Sequence, residues 1–287
     1  MSNLDRADSL IKAVERTIKE PVTVSNSAEF LVGVDLGTAY TVIVVLDKDK
    51  NPIACEMEFA QVIRDGLVVD YMGALNIVKR LKQKIEGKLG IELTKAAIAV
   101  PPGTGERDTQ THIYVVEGAG MEVTEVLDEP TAANAVLKVK NGVIVDVGGG
   151  TTGLSIFENG KVIYSADEPT GGTQLSLVIA GGCRISFEEA ERRKKQKENQ
   201  KEIFTMVTPV IQKIAAIIKK HIKDFNINKI YLVGGTCCLA GIEKVIKKET
   251  GIETVKPSNP FLVTPLGIAM NCSMGEEVKL NGYGEVS

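Results

Sequence analysis

The sequence predicts an α/β chain of two similar lobes, each a small mixed sheet with flanking helices. Three observations lead there. Short strand meanders alternate with amphipathic helices along the chain. An apolar strand ending in Asp and a Gly/Thr turn occurs twice, at Asp35 and at Asp146. The 287 residues suffice for about two units of ~150 residues each.

Composition narrows the function classes. The chain is 44% hydrophobic and 25% charged, with 5% aromatic residues and no Trp, an ordinary globular profile. Thirty-four Lys and Arg against 37 Asp and Glu leave a net charge of −3. That balance argues against non-specific nucleic-acid binding, which draws on surplus cations. Five cysteines, an odd number with no Cys-x-x-Cys, indicate neither a zinc site nor a disulfide framework. No run reaches the ~20 apolar residues of a membrane span, and the N-terminus lacks a secretion signal. A cytoplasmic location is expected. The two histidines, His112 and His221, are far apart in helical patterns, so carboxylates, hydroxyls and backbone must carry any chemistry.

Residues 1–20 place Leu4, Ala7, Leu10, Ile11, Val14 and Ile18 at helical spacing, and Pro21 ends that helix. The leader helix either packs on the domain or offers its apolar face to a partner's groove. Ser25-Asn26-Ser27 reads as a linker, leaving 1–29 as a leader. A meander follows in three runs: Phe30 to Val34, Thr41 to Leu46, and Pro52 to Met57. Residues 73–89 form a helix through Leu75, Val78, Leu81, Ile85 and Leu89, and 96–100 a buried strand. After a short helix and a short strand, Pro130 suits the first turn of a helix at 129–134. The meander then recurs in Gly142 to Val145, Gly153 to Phe157 and Lys161 to Ser165, with Glu158-Asn159-Gly160 as a hairpin turn. Helices are expected at 186–198 and 203–225, a strand at 229–233 before Gly234-Gly235-Thr236, a helix behind it, and a last helix at about 262–273. The first lobe is thus 30–141 plus about 256–273, the second 142–255, and 274–287 a polar tail.

A Gly-rich turn at the end of a buried strand lets backbone N–H groups converge on an anion. Each charge-assisted hydrogen bond to phosphate contributes ~1.5–3 kcal/mol, so three or four match micromolar binding. Thr38, Thr151 and Thr152 add hydroxyl donors. Asp35 and Asp146 would repel phosphate directly but suit the waters around a Mg²⁺ ion. Two such turns, one from each lobe, would clasp a triphosphate. Gly148-x-Gly150-x-x-Gly153 also matches the dinucleotide fingerprint, but that motif needs a helix at the turn. Here a strand and hairpin follow. No P-loop sequence occurs.

Gly33-Val-Asp-Leu-Gly-Thr38, Glu129-Pro-Thr-Ala-Ala133, Asp146-Val-Gly-Gly-Gly-Thr151 and Leu232-Val-Gly-Gly-Thr236 stand in the order seen in the actin-like ATPase superfamily. Over residues 30–270 the chain resembles the ATPase domain of DnaK-type chaperones. The short second lobe, the leader helix and Gly66-Leu-Val-Val-Asp70 also resemble a chaperone-like family encoded by bacterial ethanolamine-utilization operons. The resemblance implies duplicated ribonuclease-H-like lobes around a nucleotide cleft, with ATP and Mg²⁺ as ligands. It implies a catalytic set of Asp35, Glu129 and Asp146: the aspartates hold the metal's hydration shell, and Glu129 orients water near the γ-phosphate. Gly37, Thr38 and Ala39 would cradle the β- and γ-phosphates, opposed by Gly148, Gly149, Gly150 and Thr151. Gly171 and Gly172 would lie near ribose and phosphates, Glu188 and Arg192 would flank ribose and adenine, and Gly234, Gly235 and Thr236 would close the adenosine side. Gly267 would pack the last helix against the catalytic lobe.

Two departures bear on hydrolysis. No lysine aligns with the family's γ-phosphate lysine, Lys79 being the nearest candidate, and Gly153 replaces the acidic residue after the second turn. No peptide-binding domain is expected after residue 273. The expected function is therefore a weak ATPase of chaperone-like character that couples lobe closure to a partner. That partner would be an ethanolamine-degrading enzyme or a microcompartment component. A filament or scaffold ATPase, or a small-molecule kinase, are the alternatives. Cys237-Cys238 reads as packing residues or as a redox switch.

Overall fold

Asp70 accepts the Gly73 N–H at 2.9 Å and starts one helix, while Asp128 accepts the Thr131 N–H at 2.8 Å and starts another. Such side-chain caps satisfy donors that a first helical turn leaves orphaned. Local signals of this kind set the element boundaries throughout. The computed structural model describes residues 3–22, 29–273 and 279–280, apart from the side chains of residues 197, 279 and 280. The expected linker at 25–27 and most of the polar tail lie outside the described residues.

The chain divides into two compact units, 1–139 with 262–287, and 140–261. In the first, α1 (Asn3–Lys19) precedes β1 (Phe30–Leu36), β2 (Tyr40–Asp47) and β3 (Pro52–Phe59). A small hairpin, β4 (Ile63–Arg64) and β5 (Leu67–Val68), leads to α2 (Tyr71–Leu89), β6 (Lys95–Val100), α3 (Glu106–Gly118), β7 (Glu122–Asp128) and α4 (Glu129–Leu137). The second unit holds β8 (Gly142–Val147), β9 (Thr152–Glu158), β10 (Lys161–Glu168), α5 (Gly172–Cys183), α6 (Phe187–Lys195) and α7 (Gln200–Ile222). It closes with β11 (Lys229–Val233), α8 (Ile242–Thr250) and β12 (Glu253–Val255). The chain then returns to the first unit with α9 (Val263–Asn271) and the short β13 (Lys279–Leu280).

The two sheets share one plan. The first runs β13-β7-β6-β1-β2-β3 and the second β10-β9-β8-β11-β12. In each, an antiparallel three-strand meander continues into parallel strands beside its first strand. Asp35 stands opposite Val42 and Asp146 opposite Gly153, each near the end of the first strand. The repeat in the sequence is a repeat of structure.

Apolar spacing explains the packing. Leu75, Val78, Leu81, Ile85 and Leu89 of α2 enter the core of the first unit with Val32, Val34, Ile43 and Ile98. Ile203, Val207, Ile211, Ile214 and Ile218 of α7 enter that of the second with Val143, Val145, Leu154 and Leu232. The α7 helix continues through Pro209. Asn159 and Gly160 both hold positive φ, 52° and 79°, as a two-residue hairpin turn requires. The leader helix α1 packs on β3, α4 and α9, burying Ala7, Ile11 and Val14 completely. Its apolar face is used inside its own unit, so the partner-groove reading is not available to it. Among the described residues no helix is long and apolar enough to cross a membrane.

Candidate functional site

Each sheet carries an aspartate one residue before the end of its first strand and turns back through an identically closed hairpin. The Gly37 N–H donates to Tyr40 O at 3.0 Å, and the Gly148 N–H donates to Thr151 O at 3.0 Å. Both bonds join residues at the same offset from their aspartate. Among the described residues the N–H groups of Thr38, Ala39, Gly149 and Gly150 have no hydrogen-bond acceptor. Unpaired amides on successive turn residues form the concavity that suits an anion. A Cβ on Gly37 would lie 2.8 Å from Tyr40 O, so this turn depends on glycine.

In the first unit, β1, β6 and β7 run parallel, which puts Asp35 and Glu129 at the carboxyl ends of their strands. Ligands of open α/β sheets bind at those ends. Glu129 opens α4, where Asp128 holds the helix start through both Thr131 N–H and Thr131 Oγ1, at 2.8 and 2.7 Å. Gly267 lets α9 cross α4 closely, since a Cβ there would meet Ala132 O at 2.0 Å. Lys79 is exposed on α2.

The second unit brings more of its residues together. Gly148 O accepts from the Gly172 N–H at 2.9 Å and from Thr236 Oγ1 at 2.7 Å, and Gly149 O accepts from the Thr173 N–H at 2.7 Å. The glycine turn, the start of α5 and the Gly234–Thr236 segment after β11 are therefore one hydrogen-bonded cluster. Thr152 Oγ1 donates to Thr170 O at 2.6 Å and anchors the approach to α5. Gly234 lies against the aspartate: at φ 90° its missing Cβ would stand 2.2 Å from Asp146 Oδ1 and 2.5 Å from Val147 O. Asp146 itself is only 5% exposed.

Glu188 and Arg192 lie exposed on α6, Arg192 paired with Glu189. Facing the turn instead are Glu191 and Lys194. Lys194 Nζ donates to Gly172 O at 3.1 Å, Ser176 Oγ at 2.6 Å and Glu191 Oε1 at 2.6 Å. Ser176 Oγ also donates to Glu191. Burial pushes the Lys194 ammonium below its ordinary value, against the opposing pull of Glu191. Burial pushes the Glu191 carboxyl up, but Lys194, Ser176 and Lys195 together hold it below the usual carboxylate range. Sequence reading missed this pair, although helical spacing puts Glu191 and Lys194 one turn apart on the face of buried Ala190.

Cys237 and Cys238 are free thiols; the first is packed in the core and the second is exposed. Burial, reinforced by the charge of Asp146, pushes the Cys237 thiol up, which disfavours the thiolate form that reacts. Among the described residues no group of three or more His, Cys, Asp or Glu side chains is placed to ligate a metal.

Two mixed sheets of one plan, each with an aspartate-led hairpin at the carboxyl end of its first strand, define the actin-like ATPase fold. Comparison agrees with that class. Residues 110–271 match the family described as type IV pilus assembly protein PilM. The ethanolamine utilization protein EutJ of Escherichia coli (strain K12) is 44% identical over 239 residues, 83% of this chain and 84% of the relative. The crystal structure of EutJ from Carboxydothermus hydrogenoformans is 45% identical, with a TM-score of 0.88 over 94% of this chain and 99% of that one. MreB5 of Spiroplasma citri, solved bound to ADP, shares the fold at a TM-score of 0.68 and 17% identity, over 82% of this chain and 94% of that one. The chain belongs to the EutJ family of ethanolamine utilization proteins.

Proposed function

We propose that the protein binds MgATP through both aspartate-led turns and hydrolyses it slowly, as a chaperone-like component of ethanolamine utilisation. The observation that carries this reading is the pair of identically closed turns whose central amides lack acceptors. The ADP-bound MreB5 structure, of the same fold, supports it.

The residues present fit the ligands. The carboxylate oxygens of Asp35 and Asp146 are of the donor type that suits a Mg²⁺ ion held through its waters. When bound, that ion would offset charge on the phosphates. The N–H groups of Thr38 and Ala39, and those of Gly149 and Gly150, donate to phosphate oxygens; the Thr38 and Thr151 hydroxyls add donors. Asp35 and Asp146 would hold a Mg²⁺ ion through its waters. Glu129, held at a capped helix start, accepts a hydrogen bond from the attacking water and so orients it toward the γ-phosphate. Gly171, Gly172, Gly234, Gly235 and Thr236 bound the nucleoside side, with Glu188 and Arg192 on the helix beyond. Catalysis by position and electrostatics alone is slow without a γ-phosphate lysine, and Lys79 is exposed.

Nucleotide state would then be coupled to a protein partner, an ethanolamine-degrading enzyme or a microcompartment component. A cytoplasmic location follows from that role. Co-crystallisation with Mg²⁺ and a non-hydrolysable ATP analogue tests the site. Phosphate oxygens within hydrogen-bond distance of the Thr38, Ala39, Gly149 and Gly150 amides are expected. A nucleotide bound elsewhere, or through one turn only, would contradict the assignment.

A further inference from the structure

Ser176, Glu191 and Lys194 form a closed polar network beside the second turn. Ser176 is fully buried and Glu191 is 6% exposed. The Lys194 ammonium carries three donors, and it meets three acceptors: Gly172 O at 3.1 Å, Ser176 Oγ at 2.6 Å and Glu191 Oε1 at 2.6 Å. With each proton committed, Lys194 has none left for a phosphate oxygen. Joining α6 to α5 does not call for this pair. The two helices already pack together, with Leu175, Ile179 and Ala190 in the core. A buried ion pair is also commonly no more stabilising than apolar residues of similar volume.

The bond to Gly172 O leads straight to the turn. A peptide unit is planar, with its carbonyl and its N–H on opposite sides. The unit joining Gly172 to Thr173 receives Lys194 on its oxygen, and its N–H donates to Gly149 O at 2.7 Å. The unit joining Gly149 to Gly150 is thereby held by its oxygen, and its N–H is one of the turn amides without an acceptor among the described residues. Two peptide units in series therefore run from the ammonium to the Gly150 N–H. Hydrogen bonds in such a chain polarise one another, so a cation at the start strengthens the donor at the end. The Gly149 N–H lies outside this chain, because its unit is held through Gly148 O by the Gly172 N–H and Thr236 Oγ1.

We propose that Lys194 is a positioning residue for the anion that the second turn binds. Acting through Gly172 and Gly149, it aims the Gly150 amide and strengthens it as a donor, while Glu191 and Ser176 fix the ammonium in place. The inference rests on the nucleotide reading above for the identity of that anion.

The test uses the full chain, with MgATP titrated by calorimetry and amide proton resonances followed in the nucleotide-free protein. Glu191→Leu combined with Lys194→Met removes both charges together, so this double variant should keep the wild-type urea midpoint. Its affinity for MgATP should nevertheless fall by about tenfold. Its Gly150 amide resonance should move, and that of Ala39, in the other unit, should not. Lys194→Arg, which keeps a charged donor toward Gly172 O, should retain most of the affinity. Unchanged MgATP affinity in the double variant, or a Gly150 resonance that stays in place, would make the pair structural only and overturn this inference while the nucleotide reading stands. A wild type that binds no MgATP would overturn both.

Discussion

Asp146 and Gly234 show how tightly the second turn is fitted. With the aspartate 5% exposed and the glycine at φ 90° against it, either change is felt directly. Gly234→Ala should lower the stability of the second unit by about 2 kcal/mol or more, read as a shift in urea midpoint, and should also weaken nucleotide binding. An unshifted midpoint would mean that the backbone relaxes freely there. Lys194→Met should leave the buried Glu191 with only the more distant Lys195, at 3.6 Å, and cost about 3 kcal/mol; a neutral effect would show that Lys195 and water suffice for the carboxylate. Conventional motif reading stops at Gly-x-Gly patterns. It could not find Glu191 and Lys194, because their significance lies in which face of α6 the fold turns inward.

Elements were the more legible scale. The α2 and α7 stripes, the Asn159-Gly160 hairpin and the six meander strands follow from periodicity and turn chemistry. The β4–β5 hairpin, β12 and β13 did not, being two or three residues long and held by tertiary pairing. The α5 helix escaped because its glycine-rich, evenly apolar sequence, Gly172 to Cys183, carries no helical stripe. Helix α1 was legible as a helix but not in its role. Ile11→Ala should cost about 2–4 kcal/mol by denaturant unfolding, since its side chain is fully buried; a negligible loss would mean that α1 detaches easily. Helix α3 carries a proton-linked term. Burial holds His112 below its ordinary 6.5, against the Asp108 backbone bond and charge. The folded state thus takes up this proton less readily than the unfolded chain. Its stabilising share is intact above pH 6.5 and is lost as pH falls from there toward the folded value. His112→Leu should flatten that part of the pH–stability curve; an unchanged slope would assign it to other groups.

At the scale of the molecule, duplication is the organising fact. One plan of meander plus parallel strands was built twice, and each copy kept an aspartate and a hairpin closed by the same 3.0 Å bond. The sequence made this visible because Asp-x-Gly turns follow apolar strands in both halves. It did not show which surfaces the fold assembles, because those depend on residues distant in the chain. The central claim, that both turns serve one nucleotide, is tested most directly by calorimetric titration of MgATP into the wild type, Asp35→Asn and Asp146→Asn. The account predicts that each substitution weakens Mg²⁺-dependent binding by about tenfold or more, and that the effect shrinks when Mg²⁺ is withheld. Tight binding by the wild type that is indifferent to one aspartate, or no binding of MgATP at all, would contradict it.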